Sequence, residues 1–243
     1  MTSIPARDRL IVALDVPTIG DAQALVARLG GAATFYKIGL ELAMAGGLDL
    51  ARELGREGKQ VFLDMKLLDI ENTVERATRA AAATGATFLT VHAQDTKTLR
   101  ATVAGKAGTT LKILGVTVLT NLDQRDLEEQ GVPENPEELV LRRARLAREA
   151  GCDGVVASGL EAQRVRAALG PGLAIVTPGI RLPGGAAGDQ ARVATPQQAI
   201  AAGTDYIVVG RPITAAADPR EAAEAFVQAI EEALAIRSLG PPG

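Results

Sequence analysis

The sequence predicts an α/β protein folded as one closed (β/α)8 barrel, the TIM-barrel arrangement, with its active site at the C-terminal strand ends. Three observations predict it. Eight short apolar runs alternate with amphipathic helical stretches along 243 residues, a length that such barrels commonly reach as one domain. Each run is apolar on both faces, as parallel strands covered on both sides require. No GxGxxG follows the first run, which counts against a doubly wound sheet, and eight is the number of βα units that closes a barrel. The single domain is expected to take in 1–243, with a core of about 9–236.

The first run, 10–14, ends at Asp15, and strand alternation puts Ile11, Ala13 and Asp15 on one face. The second, 35–39, gives Phe35 and Lys37 a common face. The third, 61–65, leads into Asp64-Met65-Lys66-Leu67-Leu68-Asp69, so that Phe62, Asp64 and Lys66 point the same way, with a further carboxylate three residues on. The fourth, 88–91, precedes His92, and the fifth, 113–119, precedes Thr120. Before the sixth, 154–157, comes a helix with readable ends. Asn135 caps it, Pro136 takes the first helical position, Glu138 is placed to close a capping box, and Gly151 ends it. The seventh, 174–177, is followed by a long segment, 179–194, rich in glycine (Gly184, Gly185, Gly188) and carrying Arg181 and Gln190. Structureless segments of that length are usually lids or disordered. A helix starts at Thr195-Pro196 and ends at Gly203; the eighth run, 206–209, then leads into Gly210-Arg211-Pro212. Phe226, Ile230 and Leu234 form an apolar stripe on the last helix. The joins around Gly85, Gly151 and Gly203 recur without a fixed spacing, marking βα units and not a solenoid.

Composition narrows the function. Aromatics make up 2% with no Trp, net charge is −3 and the pI is near 5.4. That leaves neither stacking platforms nor a basic footprint for nucleic acid. No stretch reaches the ~20 apolar residues that span a bilayer, and the first residues have no apolar leader. The one cysteine, Cys152, excludes an intrachain disulfide and reads as a small buried residue. A soluble cytoplasmic protein is expected.

Asp15, Lys37, Asp64, Lys66, His92, Thr120 and Arg211 all fall at or just past strand ends, so charge converges on one mouth of the barrel. Burying such a set is costly unless the charges are paired. A structural ion-pair ladder would use one strand; convergence from several strands favours an active site. Gly210 and Arg211 follow the eighth strand, where phosphate-binding barrels place backbone N–H groups, and Arg211 suits bidentate phosphate contact. The sole histidine, His92, excludes a multi-histidine metal site and reads as structural. Asp15, Asp64 and Asp69 could hold Mg²⁺, but Lys37 and Lys66 already neutralise them, so no metal is expected.

Five segments together resemble the orotidine 5′-phosphate decarboxylase family, bacterial type: Ile11-Val12-Ala13-Leu14-Asp15, Tyr36-Lys37-Ile38-Gly39, Asp64-Met65-Lys66-Leu67-Leu68-Asp69-Ile70-Glu71-Asn72-Thr73, Thr177-Pro178-Gly179-Ile180-Arg181 and Val208-Val209-Gly210-Arg211-Pro212. The resemblance runs from Arg9 to about Ile236, with two departures: Leu68 where the family usually has His, and Glu71 where it has Pro. It implies a carboxy-lyase that converts orotidine 5′-monophosphate to uridine 5′-monophosphate without cofactor, the last step of pyrimidine nucleotide synthesis. In that reading Lys66 faces the reacting carbon C6, Asp64 lies near the substrate carboxylate, and Lys37 and Asp69 fix the charge network. Asp15, Lys37 and Asp69 also meet the ribose hydroxyls, with Thr73 in the substrate-binding set. Thr120 and Gln190 lie by the pyrimidine or phosphate, and Arg181, Gly210 and Arg211 hold the phosphate. Family members are homodimers in which the Asp69 segment reaches the neighbour's site. The competing reading is a Mg²⁺-dependent sugar-phosphate decarboxylase or aldolase, similar to keto-gulonate-phosphate decarboxylase and hexulose-phosphate synthase. Those relatives carry a metal-binding Glu where this chain has Lys37. A non-catalytic phosphometabolite-binding barrel is the third possibility; binding alone does not need Lys66 between two carboxylates.

Overall fold

The computed structural model describes residues 4–184 and 194–238. All eight expected strands form: β1 (Leu10–Ala13), β2 (Phe35–Ile38), β3 (Gln60–Leu67), β4 (Phe88–His92), β5 (Lys112–Val116), β6 (Gly154–Val156), β7 (Ala174–Thr177) and β8 (Tyr206–Val209). They are parallel, each beside the next, and β8 closes on β1 through pairs such as Ile11 with Val208. Helices lie outside, among them α1 (Ile19–Leu29), α2 (Leu48–Arg56), α3 (Glu71–Ala82), α4 (Thr96–Gly105), α5 (Pro136–Ala150), α6 (Ala162–Leu169), α7 (Pro196–Ala201) and α8 (Pro219–Ser238).

Alternation along the strands divides the apolar residues into two cores. One set faces the helices, including Val12, Tyr36, Leu63, Leu89 and Ile207. The other fills the barrel, including Ile11, Phe35, Phe62, Phe88, Tyr206 and Val208. Of the chain's four Phe and two Tyr, four meet there. The rings of Phe35, Phe88 and Tyr206 lie 5.1–6.0 Å apart, and Phe62 packs edge-on to Phe88 at 5.9 Å. Tilted and edge-to-face contacts of this kind suit aromatic quadrupoles. They plug the barrel and form a floor beneath its C-terminal mouth.

Helix ends follow the sequence closely. Asn135 accepts from the Glu138 N–H, and Gly151 turns left-handed (φ 89°) after α5. Only half of the expected capping box forms there, because no bond returns from the Glu138 side chain to Asn135. Reciprocal boxes form instead at Thr195 and Gln198, opening α7, and at Asp123 and Asp126. Phe226 and Ile230 are buried, with Leu234 packed beside them. Two strand lengths differ from expectation by more than one residue. β5 stops at Val116 because its neighbour β6 is only three residues long, and Val118 then lines the mouth instead of extending the ladder. β3 runs on to Leu67, but with a shift: Leu63 pairs with Leu89 and Leu67 with Val91, four steps on β3 against two on β4.

Candidate active site

A cavity of about 550 Å³ opens at the C-terminal strand ends, lined by Asp15, Lys37, Asp64, Lys66, Thr120, Arg181, Gly210 and Arg211 among others. β1 delivers Asp15, β2 Lys37 and β3 both Asp64 and Lys66, each on the inward parity set by Ile11, Phe35 and Phe62 below them. Their charges alternate in a chain. Lys66 Nζ lies 2.8 Å from Asp64 Oδ2, Lys37 Nζ lies 3.6 Å from the same oxygen, and Lys37 Nζ donates to Asp15 Oδ1 at 2.9 Å.

Asp64 sits at the centre of this chain. Burial pushes its carboxyl up, yet the Lys37 and Lys66 ammoniums, with hydrogen bonds from Lys66 and Thr90, hold it below the ordinary carboxylate value. It is therefore a carboxylate at neutral pH. Lys66 is partly exposed and aimed into the open cavity, whereas Lys37 is buried between its two partners. The arrangement presents one accessible ammonium, fixed by a buried carboxylate, above an apolar floor. Among the described residues no group of three or more His, Cys, Asp or Glu is placed to hold a metal ion. At the mouth itself, ammonium groups stand between the carboxylates. Gly210, beside Asp15, precedes a short helical turn, Arg211–Thr214, and Arg181 and Arg211 line the same cavity.

Residues 8–226 match the model of the Orotidine 5′-phosphate decarboxylase / HUMPS family. The chain belongs to that family. An orotidine 5′-phosphate decarboxylase of Methylorubrum extorquens (strain PA1) is 58% identical over 231 residues, covering 95% of this chain and 99% of the relative. One from Rhodopseudomonas palustris (strain BisA53) is 55% identical over 227 residues, covering 93% and 96%. The crystal structure of orotidine 5′-phosphate decarboxylase from Lactobacillus acidophilus has a TM-score of 0.82 at 37% identity, covering 91% of this chain and 98% of that one.

Against this family the remaining expected site residues divide. Asp69 and Thr73 are exposed and outside the cavity. Asp69 Oδ1 accepts from the Ile70 N–H at 2.6 Å, and Thr73 lies in the first turn of α3. Within one subunit, then, Asp69 does not join the Asp15–Lys37–Asp64–Lys66 chain. Gln190 lies outside the described residues. Neither departure from the family motif touches the charge chain: Leu68 is half exposed, and Glu71 opens α3, where an acid suits the positive helix end. His92 ends β4 beside the site but does not line the cavity; burial, then Lys66 and Arg143, lower its pKa. Cys152 is buried, and burial pushes its thiol up to about 12.

Two residues were missed. Thr90 on β4 bonds both Asp64 and the Lys66 backbone. Its signal was parity: Thr90 shares the inward face of Phe88 and is polar in an otherwise apolar run. Gly39 is the other. A Cβ there would stand 3.1 Å from both Asp15 Oδ1 and Lys37 Nζ, so glycine leaves room for that ion pair.

Proposed function

We propose that this chain catalyses the cofactor-independent decarboxylation of orotidine 5′-monophosphate to uridine 5′-monophosphate, as a cytoplasmic homodimer built from one barrel domain per chain. Relatives at 53–58% identity over nearly their full length carry the decarboxylase name. The observation that favours this activity over the metal-dependent branch is Lys37. It spans Asp15 and Asp64, putting a cation where the sugar-phosphate enzymes place a metal-binding carboxylate.

The chemistry follows from the charges. Breaking the bond between C6 and the carboxylate releases CO2 and leaves an electron pair on C6 that the ring cannot spread. Stabilisation has to come from preorganised charge nearby. Lys66 supplies an ammonium that faces that carbon, lowers the energy of the developing carbanion and then gives it a proton, with solvent restoring the ammonium. Asp64, ionised by its two lysines, holds Lys66 in place and lies near the departing carboxylate. Asp15 and Lys37 meet the ribose; Thr120 and Gln190 attend the pyrimidine or phosphate; Arg181, Gly210 and Arg211 anchor the phosphate. Remote phosphate binding then orients the reacting ring.

The homodimer is supported by a surface feature. Leu68 and Ile70 flank Asp69 and are 49% and 72% exposed, and Leu40, Met44 and Leu48, on the segment after the neighbouring strand β2, are exposed as well. Apolar groups exposed on the segments that follow two adjacent strands suit a protein interface. An isologous one would carry the partner's Asp69, with Thr73, towards the cavity.

The test is a spectrophotometric assay of the purified protein with orotidine 5′-monophosphate, before and after exhaustive EDTA treatment. Turnover unchanged by EDTA is expected. Complete loss with EDTA, restored by Mg²⁺, would transfer the chain to the sugar-phosphate branch.

A further inference from the structure

Lys66 carries an unusual backbone. Among the described residues it alone is a non-glycine with positive φ, 48°, a conformation that costs an L-residue of order 1–3 kcal/mol and persists only where its surroundings enforce it. It sits where β3 holds two residues more than β4 opposite, between the Leu63–Leu89 and Leu67–Val91 pairs. In place of a backbone carbonyl, the Lys66 N–H finds the side chain of Thr90, donating to Oγ1 at 2.9 Å.

The same hydroxyl lies 2.9 Å from Asp64 Oδ1. The direction of both bonds is fixed by chemistry. A backbone N–H only donates and an ionised carboxylate only accepts, so Thr90 accepts from Lys66 and donates to Asp64. With Oδ1 engaged, Asp64 turns Oδ2 to Lys66 Nζ at 2.8 Å and Lys37 Nζ at 3.6 Å. One hydroxyl therefore sets the backbone that aims the lysine and the rotamer of the carboxylate that pairs with it. Thr90 is 0% exposed, so solvent has no access to replace it, and it is held in register on β4 opposite Leu114.

We propose that Thr90 is a positioning residue for the decarboxylation, holding the left-handed Lys66 turn and the Asp64 carboxylate in reacting register. This rests on the decarboxylase reading above, and the wild-type assay separates the two: a wild type with no turnover of orotidine 5′-monophosphate removes that reading before Thr90 is tested. Thr90→Val keeps the shape and removes the hydroxyl; Thr90→Ser keeps the hydroxyl and removes a methyl. Thr90→Val should lower kcat by roughly 10- to 100-fold, as expected for a buried hydrogen-bonding group left unpaired. KM and the Kd of uridine 5′-monophosphate should stay within about threefold, because the lost contact acts on the reacting pair and not on uniform binding. Thr90→Ser should return kcat to within about threefold of wild type. A purely structural threonine would lose activity and product binding together, in step with Tm. The inference is overturned if Thr90→Val keeps the wild-type kcat, if Ser and Val are equally impaired, or if product binding falls as far as kcat. Should the Val variant not fold, Thr90→Ala takes its place under the same criteria.

Discussion

Asp64 stays ionised in a buried place because two ammoniums and a hydroxyl outweigh its desolvation. Lys66 is the exposed member of that balance, and its assigned work lies in the transition state. Lys66→Ala should therefore abolish measurable turnover while uridine 5′-monophosphate binding stays within about tenfold; a substantial kcat in this variant would remove Lys66 from the chemistry. His92 reports on the same charge independently. Its pKa is lowered from 6.5, first by burial and then by Lys66 and Arg143. A depressed folded value means the unfolded chain binds the proton more readily. The associated stability is present above pH 6.5 and is lost as pH falls through the folded value. Because the chain has one histidine, its imidazole NMR signal needs no assignment. The midpoint should lie below 6.5 and move upward in Lys66→Ala; an unchanged midpoint would place Lys66 elsewhere. Asp15, Lys37, Asp64 and Lys66 were legible because strand parity is a local rule that survives folding. Thr90 shows its inward parity in the sequence but not its part in the site, and Gly39 shows neither, since each matters through a partner more than twenty residues away in sequence. The left-handed backbone at Lys66 was equally hidden, because only glycine announces that conformation in a sequence.

The elements show where local pattern is enough and where neighbours decide. Buried parallel strands were readable from their two-sided apolar runs, and α5 and α7 from Asn135, Pro136, Thr195 and Gly151. The extent of β3 and β5 was not readable. Those lengths depend on where β4 and β6 end, and a two-residue mismatch between β3 and β4 is what creates the Lys66 turn. Helix packing carries a similar non-local constraint at Gly105, the last residue of α4. A Cβ there would stand 2.5 Å from the Glu75 carbonyl oxygen and 2.7 Å from the Thr78 Cβ, both on α3. Propensity alone favours alanine at a helical position, so the close crossing of α3 and α4 is the reason for glycine. Gly105→Ala should destabilise by about 1–3 kcal/mol, the usual cost of forcing atoms into a packed interface. For a chain of this size that lowers Tm by roughly 2–12 °C. Scanning calorimetry would check it, and an unchanged or higher Tm would show that the two helices part without cost.

A closed barrel accounts for one mouth and one charge chain, but not for the position of Asp69. That residue stands outside its own cavity, between exposed Leu68 and Ile70. The count of eight strands was legible, because closure is a property of one chain. A shared site is a property of two, and sequence pattern alone gives only an apolar loop next to a carboxylate. If Asp69 serves the neighbouring cavity, two inactive variants should complement each other. Lys66→Ala and Asp69→Ala are mixed after the subunits have been separated and allowed to reassociate. In a hybrid dimer one site combines both lesions, and the other combines a native Lys66 with the partner's native Asp69. Random reassociation makes about half of the dimers hybrids, each with one intact site of two, so activity should recover to about a quarter of wild type. If Asp69 instead swings into its own cavity, every site in every dimer carries a lesion and mixing restores nothing. Native mass spectrometry of the mixture shows whether hybrids have formed. Hybrids without activity would return Asp69 to its own subunit, while Asp15, Lys37, Asp64 and Lys66, which meet within a single barrel, would keep their assigned roles.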